Sequence, residues 1–280
     1  MSGAMRSIGG MLLLAALLYL ALLVYLWFNQ AGMLYLPHYG GRAGDVTPLD
    51  AGLRYEDVTL LSEDGVQLHA WWLPHQQPRA VILFCHGNAG TIADRLSTLK
   101  WLHGLGFATL IFDYRGYGRS TGQPSEAGTY LDAEAAWQYL RAQGHDADEI
   151  VIMGRSLGAA VAAQLAARHT PAALVLESTF TSIPDLAAEL YPLFPARALV
   201  RFRYDTLDRI SAIEAPLLIV HSRDDEIIPF AHGKRLFAAA RAPKQFLELQ
   251  GGHNDGIYVS GVDVYLRGLD AFFKTYVDER

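Results

Sequence analysis

The chain has 280 residues, of which 51% are hydrophobic and 19% are charged, and its net charge is −6 at pH 7. This length suits one large α/β domain with a small addition and excludes three domains. The negative charge argues against a nucleic-acid-binding surface, so no nucleic acid is expected as a partner. The single cysteine, Cys85, excludes an internal disulfide. Because neither CxxC nor HExxH spacing occurs, we expect no metal site and no cofactor.

The first predicted element is an apolar segment near the N-terminus. Met11–Phe28 contains 18 residues without a charge. Extended back to Ile8, it is long enough for a helix to cross a hydrocarbon core of roughly 30 Å. A cleaved signal peptide is the alternative, but its apolar region is shorter and ends in a small-residue cleavage site. Residues 8–28 are therefore predicted to form an uncleaved, single-pass transmembrane anchor.

The charges that flank this segment predict its orientation. Arg6 and the amino terminus precede it, and the next charged residue is Arg42. Because basic residues favour the cytoplasmic side, we expect the N-terminus in the cytoplasm and the large domain on the opposite side of the membrane. Residues 29–54 are interrupted by glycine and proline, which is typical of a linker.

Residues 55–280 alternate predicted strands and helices. Tyr55–Leu61 and Val66–Leu73 are predicted to form a hairpin of two strands. From Ala80 onward, short apolar runs alternate with helical segments, which predicts a mostly parallel, doubly wound sheet of the α/β class. The last of these segments predicts a final helix from about Tyr258 to Val277. The interval of about 178–215 interrupts this alternation with short amphipathic pieces cut by prolines. It is predicted to be a small helical lid over a binding site.

One turn between a strand and a helix carries a candidate nucleophile. The sequence GRSLG spans Gly154–Gly158, with Ser156 at its centre. A G-x-S-x-G turn at this junction is typical of a nucleophile elbow, in which the serine hydroxyl is exposed above the sheet. The glycines are needed because the turn is strained and the helix packs close to neighbouring strands. Taken alone, the five-residue match is weak, and its position between a strand and a helix strengthens it.

Two later loops supply a carboxylate and an imidazole in the order that such a nucleophile requires. The loop HSRDDEIIP offers Asp225, with the adjacent Asp224 as the alternative acid and Glu177 as a more distant one. The loop GGHND carries His253. A neutral imidazole can accept the serine proton, and a carboxylate can orient that imidazole. Ser156, Asp225 and His253 are therefore the predicted catalytic residues.

The same chemistry requires backbone donors for an oxyanion. The N–H of Leu157 follows the candidate nucleophile directly. The loop HGNAG follows the strand that ends at Cys85, and it offers the N–H of Asn88. A phosphate-binding loop is the alternative for HGNAG, but the glycine spacing and lysine of such loops are missing.

These motifs resemble the serine hydrolases of the α/β-hydrolase superfamily. More narrowly, the chain is similar to membrane-anchored α/β-hydrolase-domain proteins related to protein depalmitoylases and lysophospholipid lipases. The resemblance extends from about Tyr55 to the C-terminus. It rests on a set of motifs in order: FCHGNAG, DYRGYGRSTGQPSE, GRSLGAAVA, ESTFTS, HSRDDEIIP and GGHND. The family pattern H-G-x-x-D aligns its aspartate with Asp225, although Ser222 stands where the family has glycine.

The resemblance implies an α/β-hydrolase fold and a serine hydrolase (esterase, thioesterase or lipase-like). Such an enzyme cleaves carboxylic ester or thioester bonds through an acyl-serine intermediate. The anchor and the lid favour small acyl ester or lipid-like substrates. The alternatives are a serine peptidase of the prolyl-oligopeptidase-like type and a non-catalytic binding module on the same fold. By the same resemblance, Arg115 shapes a loop beside the site and takes no part in catalysis.

Overall fold

The computed structural model describes residues 3–39 and 46–278, without the side chains of residues 3–6. Residues 40–45 of the predicted linker lie outside the described residues, and so does the side chain of Arg6. The predicted membrane orientation depends on Arg6 and Arg42, and the structure does not describe the charged group of either residue. The first element is helix α1, Gly3–Leu34, which continues past the predicted anchor. Its Ser7–Leu34 portion has a mean hydropathy of 2.5 in its most apolar window and is long and apolar enough to cross a membrane.

The large domain is built on one eight-stranded sheet. Its strands lie in the order β1-β2-β4-β3-β5-β6-β7-β8. In chain order they are β1 Glu56–Leu61, β2 Gln67–Leu73, β3 Val81–Cys85, β4 Ala108–Phe112, β5 Ile150–Arg155, β6 Ala173–Glu177, β7 Leu217–Ser222 and β8 Lys244–Leu249. The β1–β2 and β2–β4 pairs are antiparallel, and all the other neighbours are parallel. The hairpin followed by a parallel, doubly wound sheet confirms the predicted fold class.

Helices cover both faces of this sheet. After α1 they are α2 Leu96–Gly104, α3 Glu126–Ala142, α4 Leu157–Ala166, α5 Ile183–Leu190, α6 Ala196–Leu199, α7 Thr206–Ile210, α8 Phe230–Ala239, α9 Gly256–Ser260 and α10 Val262–Phe273. Strand β3 shows why both faces must be covered, because all five of its side chains are buried. Val81, Leu83 and Cys85 join one apolar core, and Ile82 and Phe84 join the other.

The C-terminal region differs in detail from the expectation based on the sequence. The final helix, expected from about Tyr258 to Val277, is divided into α9 and α10 at Gly261, whose φ is +93°. A left-handed φ is readily adopted by glycine and ends a helix. The interval 178–215 contains the three short helices α5, α6 and α7, as its prolines suggested. Within the linker, Pro48–Ala51 forms one turn of 3₁₀ helix.

Candidate active site

Ser156 lies in a strained turn between β5 and α4. Its φ is 55° and its ψ is −121°, a backbone conformation that residues other than glycine rarely adopt. The strain is held by the sheet, because the Ser156 N–H donates to the Glu177 carbonyl at 2.8 Å. The Ser156 carbonyl accepts from the Thr179 hydroxyl at 3.1 Å. Strain stored in this way at one half-buried serine is typical of a functional residue.

The two glycines of the turn have a direct steric reason. A Cβ on Gly154 would lie 2.4 Å from the Gly158 carbonyl oxygen. A Cβ on Gly158 would lie 2.2 Å from the carbonyl oxygens of both Cys85 and His86. These atoms belong to backbone and cannot move aside, so only glycine lets α4 approach β3 this closely.

The structure brings Ser156, His253 and Asp225 into one hydrogen-bonded chain. The His253 Nε2 lies 3.2 Å from the Ser156 Oγ, and the His253 Nδ1 lies 2.8 Å from the Asp225 Oδ2. Residues that are 97 positions apart along the chain therefore meet at the carboxyl ends of the parallel strands. With Nδ1 donating to the carboxylate, the neutral imidazole presents Nε2 as an acceptor to the serine hydroxyl.

Asp225 is held as a carboxylate. Its second oxygen accepts the N–H groups of Ile227 at 3.0 Å and Ile228 at 2.7 Å. Burial acts to raise the pKa of Asp225. Hydrogen bonds from His221 and His253 outweigh burial, and the pKa is held well below its usual range. The His221 Nε2 lies 3.5 Å from the carboxylate and also contacts the Ile228 carbonyl at 2.8 Å.

The two alternative acids lie elsewhere. Asp224 is exposed, and its carboxylate accepts the N–H of Gly251 at 3.1 Å. Glu177 is buried at the end of β6 and accepts a hydrogen bond from the Tyr265 hydroxyl. Burial raises the pKa of Glu177, against the attraction of Arg155. Of the three carboxylates, Asp225 is the one in contact with His253.

The loop that carries His253 is fixed by side chains that sequence reasoning missed. The Arg155 Nη2 donates to the His253 carbonyl at 3.1 Å, and the His253 N–H donates to the Glu226 carboxylate at 3.0 Å. The Ser222 hydroxyl donates to the Gly251 carbonyl. Arg155 lies within GRSLG, and Glu226 follows Asp225. Nothing in the sequence indicates that either side chain contacts the loop of His253, which is distant in sequence from both.

The candidate oxyanion donors belong to two segments next to Ser156. Leu157 is the first residue of α4, where a helix leaves its N–H groups without helical partners. A Cβ on Gly87 would lie 3.6 Å from the Ser156 Cβ, so the HGNAG loop is adjacent to the hydroxyl. Within the described residues, no acceptor contacts the backbone N–H of Asn88. Both predicted N–H groups are therefore available to a ligand.

The loop of Asn88 is tied to the residues that follow α1. The Leu36 N–H donates to the Asn88 carbonyl at 3.0 Å, and the Leu36 carbonyl accepts the Gly90 N–H at 3.1 Å. The Asn88 side chain donates to the Leu34 carbonyl at 2.9 Å. The Tyr117 hydroxyl also donates to the Asn88 carbonyl, at 2.9 Å. No sequence signal indicated that this segment would support the site.

His86 and Arg115 support the loops from inside the protein. Burial lowers the pKa of His86 to about 4, aided by the charge of Arg95 and opposed by Asp113. Arg115 pairs with the buried Asp132 at 2.8 Å and with Asp64 at 2.6 Å. These pairs agree with the expectation that Arg115 shapes its loop. Within residues 3–39 and 46–278, no group of three or more His, Cys, Asp or Glu residues could hold a metal ion.

Several known proteins are similar to this chain in sequence and in fold. A family model described as "Serine aminopeptidase, S33" matches residues 76–202. The uncharacterized protein Rv2307c of Mycobacterium tuberculosis is 39% identical over 252 residues, which are 89% of each chain. The α/β hydrolase domain-containing protein WAV2 of Arabidopsis thaliana is 36% identical over 90% of this chain and 89% of its own.

The chain belongs to the α/β-hydrolase family. Solved structures share its fold. The Pyrococcus furiosus esterase Pf2001 superposes with a TM-score of 0.70 and 19% identity, over 86% of this chain and 98% of its own. The esterase domain of a Rhodothermus marinus protein has a TM-score of 0.61 and 25% identity, over 80% of this chain and 100% of its own. The chain is therefore an α/β hydrolase, and its structure adds an N-terminal apolar helix.

Proposed function

We propose that this α/β hydrolase is a membrane-anchored serine esterase or thioesterase that acts through an acyl-serine intermediate. The observation that carries the proposal is the hydrogen-bonded chain from Ser156 through His253 to Asp225. An alcohol, an imidazole and a carboxylate in this order are what nucleophilic acyl transfer at neutral pH requires.

The first half of the proposed reaction forms the acyl-enzyme. The Ser156 Oγ attacks the carbonyl carbon of the substrate while its proton passes to the His253 Nε2. The carbonyl oxygen becomes an oxyanion, which the N–H groups of Asn88 and Leu157 stabilise. When the carbon–oxygen or carbon–sulfur bond breaks, the leaving alcohol or thiol takes the proton from His253. Asp225 stabilises the imidazolium between these steps.

The second half releases the acid. Water attacks the acyl carbon and gives its proton to the His253 Nε2, and a second oxyanion forms in the same position. Its collapse breaks the bond to the Ser156 Oγ, which recovers its proton from His253. The products are a carboxylic acid and the free enzyme, so atoms and protons balance without a cofactor.

The apolar surroundings favour a lipophilic substrate held at a membrane. Helix α1 is exposed and apolar over Ser7–Leu34, and α5 to α7 lie in the interval proposed as a lid. We further propose that α1 is retained as a single-pass anchor and that the hydrolase domain lies on the side of the membrane opposite the N-terminus. The charge rule supports this orientation through Arg6.

The description of the matching family model supports a peptidase as the second candidate. The amine that leaves from an amide is a poorer leaving group than the alcohol that leaves from an ester, so the two activities separate on matched substrates. The decisive comparison uses the full chain with a p-nitrophenyl ester series, the matching thioesters and an amino-acid p-nitroanilide. We expect turnover of the first two and little of the third. The reverse preference would favour the peptidase.

Labelling by a fluorophosphonate probe tests the nucleophile. We expect Ser156→Ala to remove both labelling and turnover, because the alcohol that attacks is lost. Ser97→Ala is the matched control, since Ser97 is exposed on α2 and lies outside the proposed lid. Labelling that persists in Ser156→Ala would contradict the assignment, and a wild-type chain that neither labels nor turns over ester would favour the non-catalytic binding module.

A further inference from the structure

The lid carries an uncharged loop that contacts α1. We define the lid tip as residues 190–196, whose sequence LYPLFPA has no charge. The ring of Phe194 stacks on the ring of Tyr19, with their centres 5.9 Å apart. The Tyr19 hydroxyl donates to the Leu193 carbonyl at 3.1 Å. The lid tip is therefore held against the middle of the apolar helix.

The chain that returns from the lid tip contacts α1 nearer its C-terminal end. The Gln30 side chain donates to the Leu199 carbonyl and accepts the Arg201 N–H, each at 2.8 Å. The Arg201 guanidinium lies 5.6 Å from the ring centre of Trp27. An arginine beside a tryptophan is typical of the boundary between lipid and water. These contacts mark the level at which α1 meets the membrane surface.

The distance between the two sets of contacts gives the depth of the lid tip. At about 1.5 Å per residue, the helix rises about 12 Å from Trp27 to Tyr19. Half of a hydrocarbon core is about 15 Å thick. If Trp27 lies at the interface, Tyr19 and the lid tip lie among the acyl chains.

The side chains of the lid tip suit that environment. Leu193 is 86% exposed, Tyr191 is 50% exposed and Leu190 is 40% exposed. Exposed apolar surface of this kind is unfavourable in water. The flanking charges are paired, because Asp185 contacts Arg197 and Glu189 contacts Arg235, each at 2.8 Å. Apolar surface at the tip and paired charges behind it are expected of a loop that enters lipid.

The backbone of the lid tip also suits a medium without water, where unpaired polar groups are costly. Pro192 and Pro195 have no N–H to satisfy. The N–H groups of Tyr191, Phe194 and Ala196 donate to carbonyls at 2.8 to 3.1 Å. Among the described residues, the Leu193 N–H is the one backbone donor of the lid tip without an acceptor, and the Leu193 carbonyl receives the Tyr19 hydroxyl. That bond also satisfies a phenol in the middle of an apolar span.

We propose that the lid tip inserts into the acyl-chain region of the bilayer that α1 crosses, as a second membrane contact of the hydrolase domain. The proposal rests on the membrane anchoring proposed above. It identifies lipid acyl chains as the partner of an exposed surface that no contact within the described chain covers. It also assigns Tyr19 the role of holding the lid tip against the anchor.

A depth measurement on the full chain in phosphatidylcholine vesicles tests this proposal. Leu193→Cys is labelled with an environment-sensitive maleimide dye, which is selective because Cys85 is 0% exposed. We expect blue-shifted emission, protection from aqueous iodide, and stronger quenching by nitroxides midway along the acyl chains than by headgroup nitroxides. Tyr191→Cys provides a second label in the lid tip. Ser211→Cys, at an exposed position beyond α7, is the matched control and is expected to be quenched by iodide.

The outcomes separate this proposal from those on which it rests. A label at Leu193 that iodide quenches as strongly as one at Ser211, in a chain that resists carbonate extraction, overturns insertion and leaves the anchor intact. Release of the wild-type chain by carbonate overturns the anchor and the insertion together. Ester turnover, measured in the same vesicles, reports on the hydrolase separately.

Discussion

Replacing Asp225 with asparagine tests the proton relay with little change of shape. In the wild-type structure the Asp225 carboxylate accepts from the His253 Nδ1 at 2.8 Å and from the N–H groups of Ile227 and Ile228. The amide oxygen of Asp225→Asn can keep the two backbone bonds. Its NH₂ group then faces the His253 Nδ1, which must become an acceptor. The imidazole proton moves to Nε2, and Nε2 can no longer accept the proton of Ser156.

The size of the expected effect follows from this exchange of tautomers. An imidazole in the wrong tautomer and without its carboxylate lowers kcat by about 10⁴-fold in the serine protease template. At about 1.36 kcal/mol per factor of ten, this loss corresponds to about 5 kcal/mol of transition-state stabilisation. Asp224→Asn is the matched control. Asp224 is exposed and accepts one N–H, from Gly251 at 3.1 Å, which an asparagine oxygen can also accept. A change in kcat of less than about threefold is expected there, because Asp224 contacts neither Ser156 nor His253 and a surface substitution of this kind costs under about 0.5 kcal/mol of stability.

The assay is the turnover of a p-nitrophenyl ester by the full chain in detergent, with the fold checked by circular dichroism. A folded Asp225→Asn variant that keeps its rate within tenfold of the wild type would refute the reasoning. An equal loss in Asp224→Asn would refute the choice of acid. The loss should also be specific to kcat, because Asp225 touches His253 and not the substrate.

Three further outcomes are expected. Gly158→Ala should abolish ester turnover, because its Cβ would lie 2.2 Å from two backbone oxygens. Gly104→Ala is the control and should leave turnover unchanged, because its Cβ would have no atom within 4 Å. Equal activities of the two variants would contradict the steric explanation. The folded pKa of His86 is about 4, below its value of about 6.5 in the unfolded chain, so its contribution to stability is full above pH 6.5. About 3 kcal/mol should be lost as the pH falls from 6.5 to 4, measured by urea unfolding in detergent, and His86→Gln should flatten that slope. Asn88→Ala keeps the backbone N–H but loses the bond to Leu34, so kcat should fall about tenfold with little change in KM; an unchanged kcat would show that the tie is dispensable.

The sequence predicts most of the fold because its signals are local. Strand β3 is a short, wholly apolar run, as a strand covered on both faces must be. The strained turn at Ser156 could likewise be predicted, because the close packing of α4 allows only glycine at positions 154 and 158. The break at Gly261 was missed, since a glycine within an apolar helical pattern does not reveal its φ in advance.

The site could be predicted in part, because chain order constrains which loops meet. The sequence alone could not decide whether Asp224 or Asp225 orients His253, because the two residues have identical side chains at consecutive positions. The structure separates them by burial and by donors. Asp225 receives two backbone N–H groups beneath the surface, whereas Asp224 faces solvent. The catalytic roles of these residues stay a prediction until the substitutions above are measured.

The long-range contacts of α1 and of the residues after it connect the proposed anchor to the candidate active site. An anchor joined by a passive linker would make no contact with the site. Here Leu36, two residues after α1, pairs its backbone with Asn88 and Gly90 of the loop beside Ser156. The tip of the proposed lid is bonded to Tyr19 of the same helix. Because both contacts originate on one helix and its exit, a movement of α1 relative to the domain must strain the loop, the lid or both. The N-terminal helix is thus a structural part of the candidate active site as well as its proposed attachment to the membrane.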